Sequence, residues 1–395
     1  MAMGVIHLWV PNIFEFKGGI QTYSGFLLRG IQELRPDLQL EVFLKHDRRT
    51  VGQDLLQPRT RFHFGGHWPL KVRTWGYVAQ LLYGVMAIRF RAPIRAVHRS
   101  PPDLIIATHT NFAPLAALIK RWWGIPYWAV AHGIEVWDVT DRRLIASFAQ
   151  ADRLLAVSHY SRDRLLAEQP TINPARVTVL PNTFDANLFY PAPKPPTLLH
   201  RYGLTPQQPV ILTVARLDQS QAYKGYDQIL RALPQVRRVL PDVHYLLVGK
   251  GNDRPRIEQL IVDLDLEGAV TLAGFVPDAE LAAHYQLCDL FAMPSRGEGF
   301  GIVYLEAIAT GKPTLGGNQD GAIDALRGGE LGVLVDPDDV GAIAQTLTAI
   351  LTQTYPHPRL YNPAALRAGV IQAYGYSAFK QNLAAQLFSP WGSGE

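Results

Sequence analysis

The 395-residue chain predicts an α/β protein made of two doubly wound parallel sheets, one per domain, facing a cleft between them. Three observations predict it. Short apolar runs of strand length alternate with helical stretches through most of the sequence, the pattern of parallel strands joined by crossover helices. The length suits two domains better than one. A proline cluster, Pro191-Ala192-Pro193-Lys194-Pro195-Pro196, interrupts the alternation near the midpoint and reads as an interdomain linker.

In the first half the strand-like runs are Val5–Val10, Leu40–Leu44, Leu104–Ala107, Tyr127–Ala131, Leu154–Val157 and Val177–Leu180. In the second half they are Val210–Ala215, Val243–Val248, Val270–Leu272, Leu290–Ala292 and Thr314–Gly316. Leu366–Phe388 reads as one or two helices, and Ser389–Glu395 as a frayed end. The expected boundaries are an N-terminal, acceptor-side domain over 1–190, a donor-binding domain over 191–365 and C-terminal helices over 366–395. No internal repeat is evident.

Composition narrows the class. Hydrophobic residues make up 48% of the chain and charged residues 18%, enough for two buried cores and far from the composition of a disordered chain. The single cysteine, Cys288, excludes a disulfide framework and a cysteine-built zinc site, and it fits a reducing compartment. Val5–Val10 reads as a first strand rather than part of a leader, and no apolar stretch reaches the ~18 residues of a spanning helix. A cytoplasmic location is expected.

Charge is unevenly spread. Residues 1–180 hold 22 Lys+Arg against 13 Asp+Glu, net +9, and residues 181–395 hold 16 against 21, net −5. A basic first half suggests an acidic partner on that side: an anionic lipid surface, a phosphorylated acceptor or nucleic acid. Within Lys71–Arg99, the apolar run Tyr77–Ile88 is followed by Arg89, Arg91, Arg95, His98 and Arg99. Two readings stay open for it: a core-facing helix with a solvated basic end, or peripheral contact with the inner face of an anionic membrane. No nucleic-acid recognition motif accompanies the charge, so nucleic acid is not an expected partner.

The most informative stretch is Ser295-Arg296-Gly297-Glu298-Gly299-Phe300-Gly301-Ile302-Val303-Tyr304-Leu305-Glu306. Ile302–Thr310 is apolar enough for a buried helix, Gly311 suits its C-terminal end, and Pro313 cannot continue it. Phe300, Gly301, Ile302 and Val303 then line the helix N-terminus, where unpaired N–H groups and the helix dipole attract a phosphate. Glu298 stands ahead of that terminus and Glu306 more than a turn inside it. One carboxylate can hold a sugar on one side of a diphosphate, the other a ribose on the far side. By itself the pattern also describes a plain turn and cap.

The other loops bear on that choice. Val210–Ala215 runs into Arg216-Leu217-Asp218 and then Tyr223-Lys224-Gly225, where two cations eight residues apart can clamp a diphosphate or merely face solvent. Gly249-Lys250-Gly251 makes a tight turn able to approach a nucleotide, and Gly274-Phe275-Val276-Pro277 can offer backbone groups to a base. In the first half, Gly18-Gly19 precede a helix after the first strand and allow close approach of a phosphate or sugar. His132, in His132-Gly133-Ile134-Glu135, sits at a strand's carboxyl end, and His109 occupies a similar position suited to an acceptor; a structural histidine is the ordinary alternative for each. His63 and His67 have loosely metal-like spacing but no third ligand nearby. Asp263-Leu264-Asp265 and Asp336-Pro337-Asp338 fall toward a helix end and in a turn, away from where a metal-dependent sugar transferase needs such a pair. With Arg216 and Lys224 available to neutralise a diphosphate, no metal or other cofactor is expected. Neither a Walker loop nor a G-x-S-x-G elbow is present.

Taken in order, Gly18-Gly19, His132-Gly133, Pro181-Asn182-Thr183-Phe184-Asp185 with Phe189 and Pro191, Arg216 with Lys224-Gly225, Gly249-Lys250-Gly251, Gly274-Phe275-Val276, and Glu298-Gly299-Phe300-Gly301 with Glu306 resemble the retaining glycosyltransferases of family 4. The resemblance spans nearly the whole chain and implies the GT-B fold, with two Rossmann-like domains. It also implies that Arg216 and Lys224 hold the donor diphosphate, Glu298 contacts donor-sugar hydroxyls, Glu306 holds the ribose and His132 lies near the sugar. The C-terminal helix would cross back to the N-terminal domain. One departure is that Asn252-Asp253 follow the Gly-Lys-Gly turn where many relatives carry proline.

The expected activity is transfer of a hexosyl group from a nucleotide sugar, UDP-glucose or a related UDP-hexose, to a saccharide or lipid-linked acceptor. Leaving-group charge would be met by Arg216, Lys224 and the helix N-terminus. Same-face attack, in which the leaving phosphate takes the acceptor proton, fits better than double displacement, because Glu298 is committed to sugar hydroxyls. The catalytic set is then Glu298, His132, Lys224 and Arg216. The competing classes are a nucleotide-sugar epimerase or hydrolase on the same scaffold, and a non-catalytic nucleotide-sugar-binding protein.

Overall fold

The computed structural model describes residues 4–15, 18–48, 57–68, 70–86 and 101–388. The basic residues Arg89, Arg91, Arg95, His98 and Arg99 lie outside the described residues. The chain divides into two compact units: one runs to Pro181 and takes up the chain again from Phe379, and the other is Asn182–Ala378.

Among the described residues the first unit carries seven strands, β1 (Val5–Val10), β2 (Gln39–Leu44), β3 (Thr60–Phe64), β4 (Leu104–Ala107), β5 (Tyr127–Ala131), β6 (Arg153–Ala156) and β7 (Val177–Val179), in the order β3-β2-β1-β4-β5-β6-β7. The second carries six, β8 (Val210–Val214), β9 (His244–Val248), β10 (Val270–Gly274), β11 (Leu290–Met293), β12 (Thr314–Gly317) and β13 (Val333–Val335), in the order β10-β9-β8-β11-β12-β13. Every pairing is parallel. Parallel strands need crossovers, and the helical stretches between them supply these. In each sheet the order reverses beside the first strand, between β1 and β4 and between β8 and β11, and ligands of such sheets bind outside the carboxyl ends at that point.

Burial explains which strands the sequence reveals. All six residues of β1 and all five of β9 are buried, which gives the near-continuous apolar runs of strands covered on both faces. The reading misses β3 and β13. The first is an edge strand, Thr60-Arg61-Phe62-His63-Phe64, with every residue partly or fully exposed. The second is also an edge strand and has only three residues.

Trp9, Phe43, Tyr77, Tyr127 and Phe148 anchor the first core, and Tyr226, Ile229, Leu247, Leu290 and Leu347 the second. Tyr77 ties helix Leu70–Met86 to β2 by donating its hydroxyl to the Phe43 carbonyl at 2.9 Å.

The proline cluster is docked rather than free. Lys194 pairs with Asp289 at 2.7 Å and donates to the Gln208 carbonyl at 2.8 Å, while Pro196 opens helix Pro196–Tyr202, all inside the second unit. The C-terminal segment divides. Helix Pro363–Tyr374 stays in the second unit, where Arg367 donates to the carbonyls of Phe189, Ala186 (2.7 Å) and Ala309 (3.0 Å). From Phe379 onward, helix Tyr376–Phe388 belongs to the first unit. There Phe379 meets the Tyr23 ring edge-on, Lys380 pairs with Glu33 at 3.0 Å, and Arg153 donates to the Gln386 carbonyl at 2.6 Å. Among the described residues no helix is long and apolar enough to cross a membrane.

Candidate active site

In the second unit the residues singled out from sequence gather on the loops that leave the carboxyl ends of β8 to β11. Arg216 is exposed just past β8, and a short 3-10 helix, Gln219–Lys224, follows it. The loop after β9 packs directly on this segment. A Cβ added to Gly249 would lie 1.8 Å from the Ala215 carbonyl oxygen, and one on Gly251 1.8 Å from that of Leu217. Gly249 also has φ +147°, which side chains rarely adopt. Gly249→Ala should therefore destabilise the second unit by at least about 2 kcal/mol, read as a lower urea midpoint with an unchanged slope. Asn252 joins the two loops: its side-chain oxygen accepts from the Gln219 N–H at 2.9 Å.

Lys224 reaches the loop after β11 and forms an ion pair with Glu298. Burial pushes the ammonium down, but Glu298, then Tyr223 and Asp320, outweigh it and hold the Lys224 pKa above the ordinary lysine value. The backbone supports the pair, with Arg296 donating its N–H to the Tyr223 carbonyl at 3.0 Å.

Gly301, at φ +90°, turns the chain into helix Ile302–Ala309, and Gly311 (φ +73°) and Pro313 end it. Among the described residues no side chain caps its N-terminus, which leaves the first N–H groups for a ligand. Phe300 is buried edge-on against Tyr374, so it brings backbone rather than its ring to the helix entry. Glu306 accepts a hydrogen bond from Tyr285 at 2.8 Å. Burial lifts its carboxyl to about 7, against the pull of Tyr285 and with a small push from Asp278. Beyond β10, where a register shift precedes Gly274, the Phe275 ring is 64% exposed and Lys250 lies 4.8 Å from its centroid. Val276 follows, partly buried.

Asp320, on the loop after β12, was not singled out from the sequence. It is fully buried; one carboxylate oxygen accepts from the Ser295 hydroxyl (2.6 Å) and the Glu298 N–H (2.7 Å), the other from the Ala322 N–H (2.9 Å). The Gly321 N–H returns a bond to the Glu298 carbonyl at 2.8 Å. Asp320 and Gly321 thus hold the Glu298 backbone at its N–H and its carbonyl. Burial raises its carboxyl to about 6. The signal available was an acidic residue before glycine after a strand, which reads equally well as a turn.

In the first unit, Gly18 and Gly19 open helix Gly19–Leu34 after β1, His109 follows β4, and His132 follows β5. The carbonyl of Thr108, 2.8 Å from His132 Nε2, requires the proton on that nitrogen. Burial lowers the His132 pKa to about 4, against the Thr108 hydrogen bond, so the ring is neutral near pH 7. His109 is lowered too, by burial first, with Glu135 opposing and His132 and Lys45 adding to it. Its Nδ1 accepts from the Asn111 N–H at 3.2 Å. Glu135, a second residue that sequence reading left without a role, accepts from the His132 N–H and is raised chiefly by burial.

The metal-like spacings resolve otherwise. His63 hydrogen-bonds Glu41 at 2.6 Å and stacks on Phe43. Asp338 pairs with Arg296 at 2.5 Å, and Asp263 accepts from Gln259 at 2.8 Å. Among the described residues, no group of three His, Cys, Asp or Glu side chains could hold a metal ion.

Two doubly wound parallel-sheet units of this kind make up the GT-B fold of glycosyltransferases. Residues 17–188 match the family model for Glycosyltransferase Family 4, and residues 198–366 match that for Glycosyl transferases group 1. The chain belongs to this glycosyltransferase family. Over 238 residues it is 36% identical to the GDP-mannose-dependent alpha-(1-6)-phosphatidylinositol monomannoside mannosyltransferase of Mycolicibacterium smegmatis, covering 56% of this chain and 60% of that protein. Over 262 residues it is 32% identical to the D-inositol 3-phosphate glycosyltransferase of Thermobispora bispora, covering 63% of this chain and 56% of that one. The chain therefore aligns with less than two thirds of the length of these relatives. Among solved structures, Anabaena HepE in complex with UDP superposes with a TM-score of 0.75 at 21% identity, over 98% of this chain and 99% of that one. Sucrose-phosphate synthase from Thermosynechococcus elongatus gives 0.77 at 20%, over 98% of both chains. At such identities the likeness is one of fold.

Proposed function

We propose that the protein is a retaining hexosyltransferase that moves a sugar from a nucleoside diphosphate sugar to a saccharide or lipid-linked acceptor without a metal. The observation that carries this reading is the array at the carboxyl ends of β8 and β11: the Lys224–Glu298 pair ahead of an uncapped helix N-terminus, with Glu306 on the same helix. Lys224, Arg216 and the helix N–H groups supply positive potential where a leaving diphosphate gains charge. Glu306 accepts the two ribose hydroxyls, the exposed Phe275 ring faces the base, and Glu298 receives donor-sugar hydroxyls. His132, neutral and held by Thr108, is assigned to the donor sugar, and His109 to the acceptor.

Retention follows from same-face attack, with the acceptor proton passing to the leaving phosphate. A Glu298 carboxylate paired with an ammonium is a poor nucleophile, which supports this route over double displacement. Metal independence rests on the charges present, because two cations and a helix N-terminus serve the diphosphate directly.

Two donors are in view. The family resemblance favours a UDP-hexose, and the UDP-bound neighbour shares the fold at 21% identity. The 36%-identical relative is named as GDP-mannose-dependent, and the higher identity makes GDP-mannose the first donor to test. A thermal-shift screen of UDP- and GDP-sugars is expected to single out one donor, which at 100 times its Kd adds about 2.7 kcal/mol. That donor should then give a glycosylated product with an acceptor panel. Release of free sugar alone, or of an epimer, would overturn transfer, and donor binding with no turnover would favour a non-catalytic role.

A further inference from the structure

At the carboxyl end of β2 the first unit holds cations that the proposed donor chemistry does not use. Lys45 and His46 prolong β2, their N–H groups donating to the carbonyls of Val10 (3.0 Å) and Pro11 (2.8 Å) on the neighbouring strand. Arg73 comes level with them. Tyr77 fixes helix Leu70–Met86 to Phe43, and a crossover helix runs opposite to the strand it covers. Four residues back along the helix, from Tyr77 to Arg73, span about 6 Å. Two residues onward along the strand, from Phe43 to Lys45, span about 6.6 Å. Arg73 donates its Nε–H to the Trp68 carbonyl at 3.1 Å, which steadies the guanidinium, and among the described residues its terminal N–H groups have no hydrogen-bond partner.

The nearby carboxylates are engaged elsewhere. Asp47 accepts the backbone N–H groups of Ile13 (2.6 Å), Phe14 (3.1 Å) and Glu15 (2.9 Å), and Glu135 holds the His132 N–H. Among the described residues neither Lys45 nor Arg73 forms an ion pair. The electrostatics agree with this geometry: burial and then Arg73 lower Lys45, and burial, Lys45 and Arg73 lower His46 against Asp47. Two partly buried cations that repel one another, Lys45 and Arg73, with the exposed His46 ring beside them at the carboxyl ends of a doubly wound sheet, are the complement of a multivalent oxyanion.

We propose that Lys45, His46 and Arg73 form an anion subsite that takes a phosphate ester carried by the acceptor, with His109 at its edge. The acceptor assignment rests on the glycosyl-transfer reading, whereas anion binding itself is measurable without turnover. The test follows the His46 ring by NMR in the full chain, assigned with His46→Gln, as inorganic phosphate replaces chloride at constant ionic strength. A saturable His46 shift is expected. It should weaken about ten-fold or more in Lys45→Met and in Arg73→Met, keep its strength in Lys45→Arg, and be unchanged in Arg216→Ala. No saturable shift, or one unaffected in the Lys45→Met/Arg73→Met double variant, overturns the subsite. Glucose 1-phosphate and phosphatidylcholine vesicles carrying phosphatidic acid then compete against inorganic phosphate. Competition by the sugar phosphate alone assigns a soluble acceptor, competition by the vesicles assigns a lipid phosphate, and competition by neither overturns the acceptor role. None of these failures touches the transferase reading, and absence of transfer leaves the binding result intact.

Discussion

Lys224→Ala is expected to cut turnover by about 10²-fold or more in a protein that remains folded. Lys224 is the cation closest to Glu298, and the two side chains are only 14% and 17% exposed. On the proposed role of Lys224, losing the ammonium would remove charge stabilisation from the departing diphosphate, and it leaves Glu298 without its counter-ion. Glu298→Ala should lose a similar factor by a different route, through poorer positioning of the donor sugar. The stability readout separates the two contributions. Each single variant strands a partly buried charge and should lose about 1–3 kcal/mol, whereas the double variant strands none and should recover part of that loss while turnover stays low. Near-normal turnover in purified, folded Lys224→Ala would remove the diphosphate clamp from the proposal.

Glu306 should make both stability and nucleotide affinity depend on pH. Its carboxyl is lifted from the ordinary 4.5 to about 7 by burial. Between those values the folded protein keeps a proton that the unfolded chain has released, so stability falls as pH rises through that window, by up to about 3 kcal/mol in total. Glu306→Gln should flatten the corresponding slope of Tm against pH. Binding has the opposite sign. On the proposed role of Glu306, ribose hydroxyls would donate to the charged carboxylate, so nucleotide affinity should strengthen as pH rises through about 7, with release of a proton. In Glu306→Gln, affinity should fall roughly ten-fold at high pH and lose its pH dependence. Calorimetry in two buffers of different ionisation enthalpy measures both. Equal, pH-independent affinities in the two proteins would rule out Glu306 as the ribose ligand.

Much of the second unit was legible because its signals are local. Gly301, Gly311 and Pro313 delimit the helix bearing Glu306 through conformational limits that act within a few residues, and buried parallel strands such as β9 appear as unbroken apolar runs. What stayed hidden depends on sheet order. Asp320 reaches Ser295 and Glu298 because β12 lies beside β11, and no spacing along the chain reveals that neighbour. Tyr285 meets Glu306 across 21 residues for the same kind of reason. The cationic end of β2 was masked differently. No motif surrounds Lys45 and His46 in the sequence, and only the Tyr77 anchor on Phe43 brings Arg73 level with them.

The division of the last two helices bears on the order in which the chain can mature during synthesis. The second unit is one unbroken segment, Asn182–Ala378, able to close as soon as it has emerged. The first unit must wait, because Phe379 and Leu383 cover Tyr23 and Gly30, and they leave the ribosome after the whole second unit. Until then an apolar stripe on helix Gly19–Leu34 stays uncovered, so a chain paused once Ala378 has cleared the ribosome, with the rest of the last helix still inside, would hold a finished second unit beside a first unit that chaperones still recognise as incomplete.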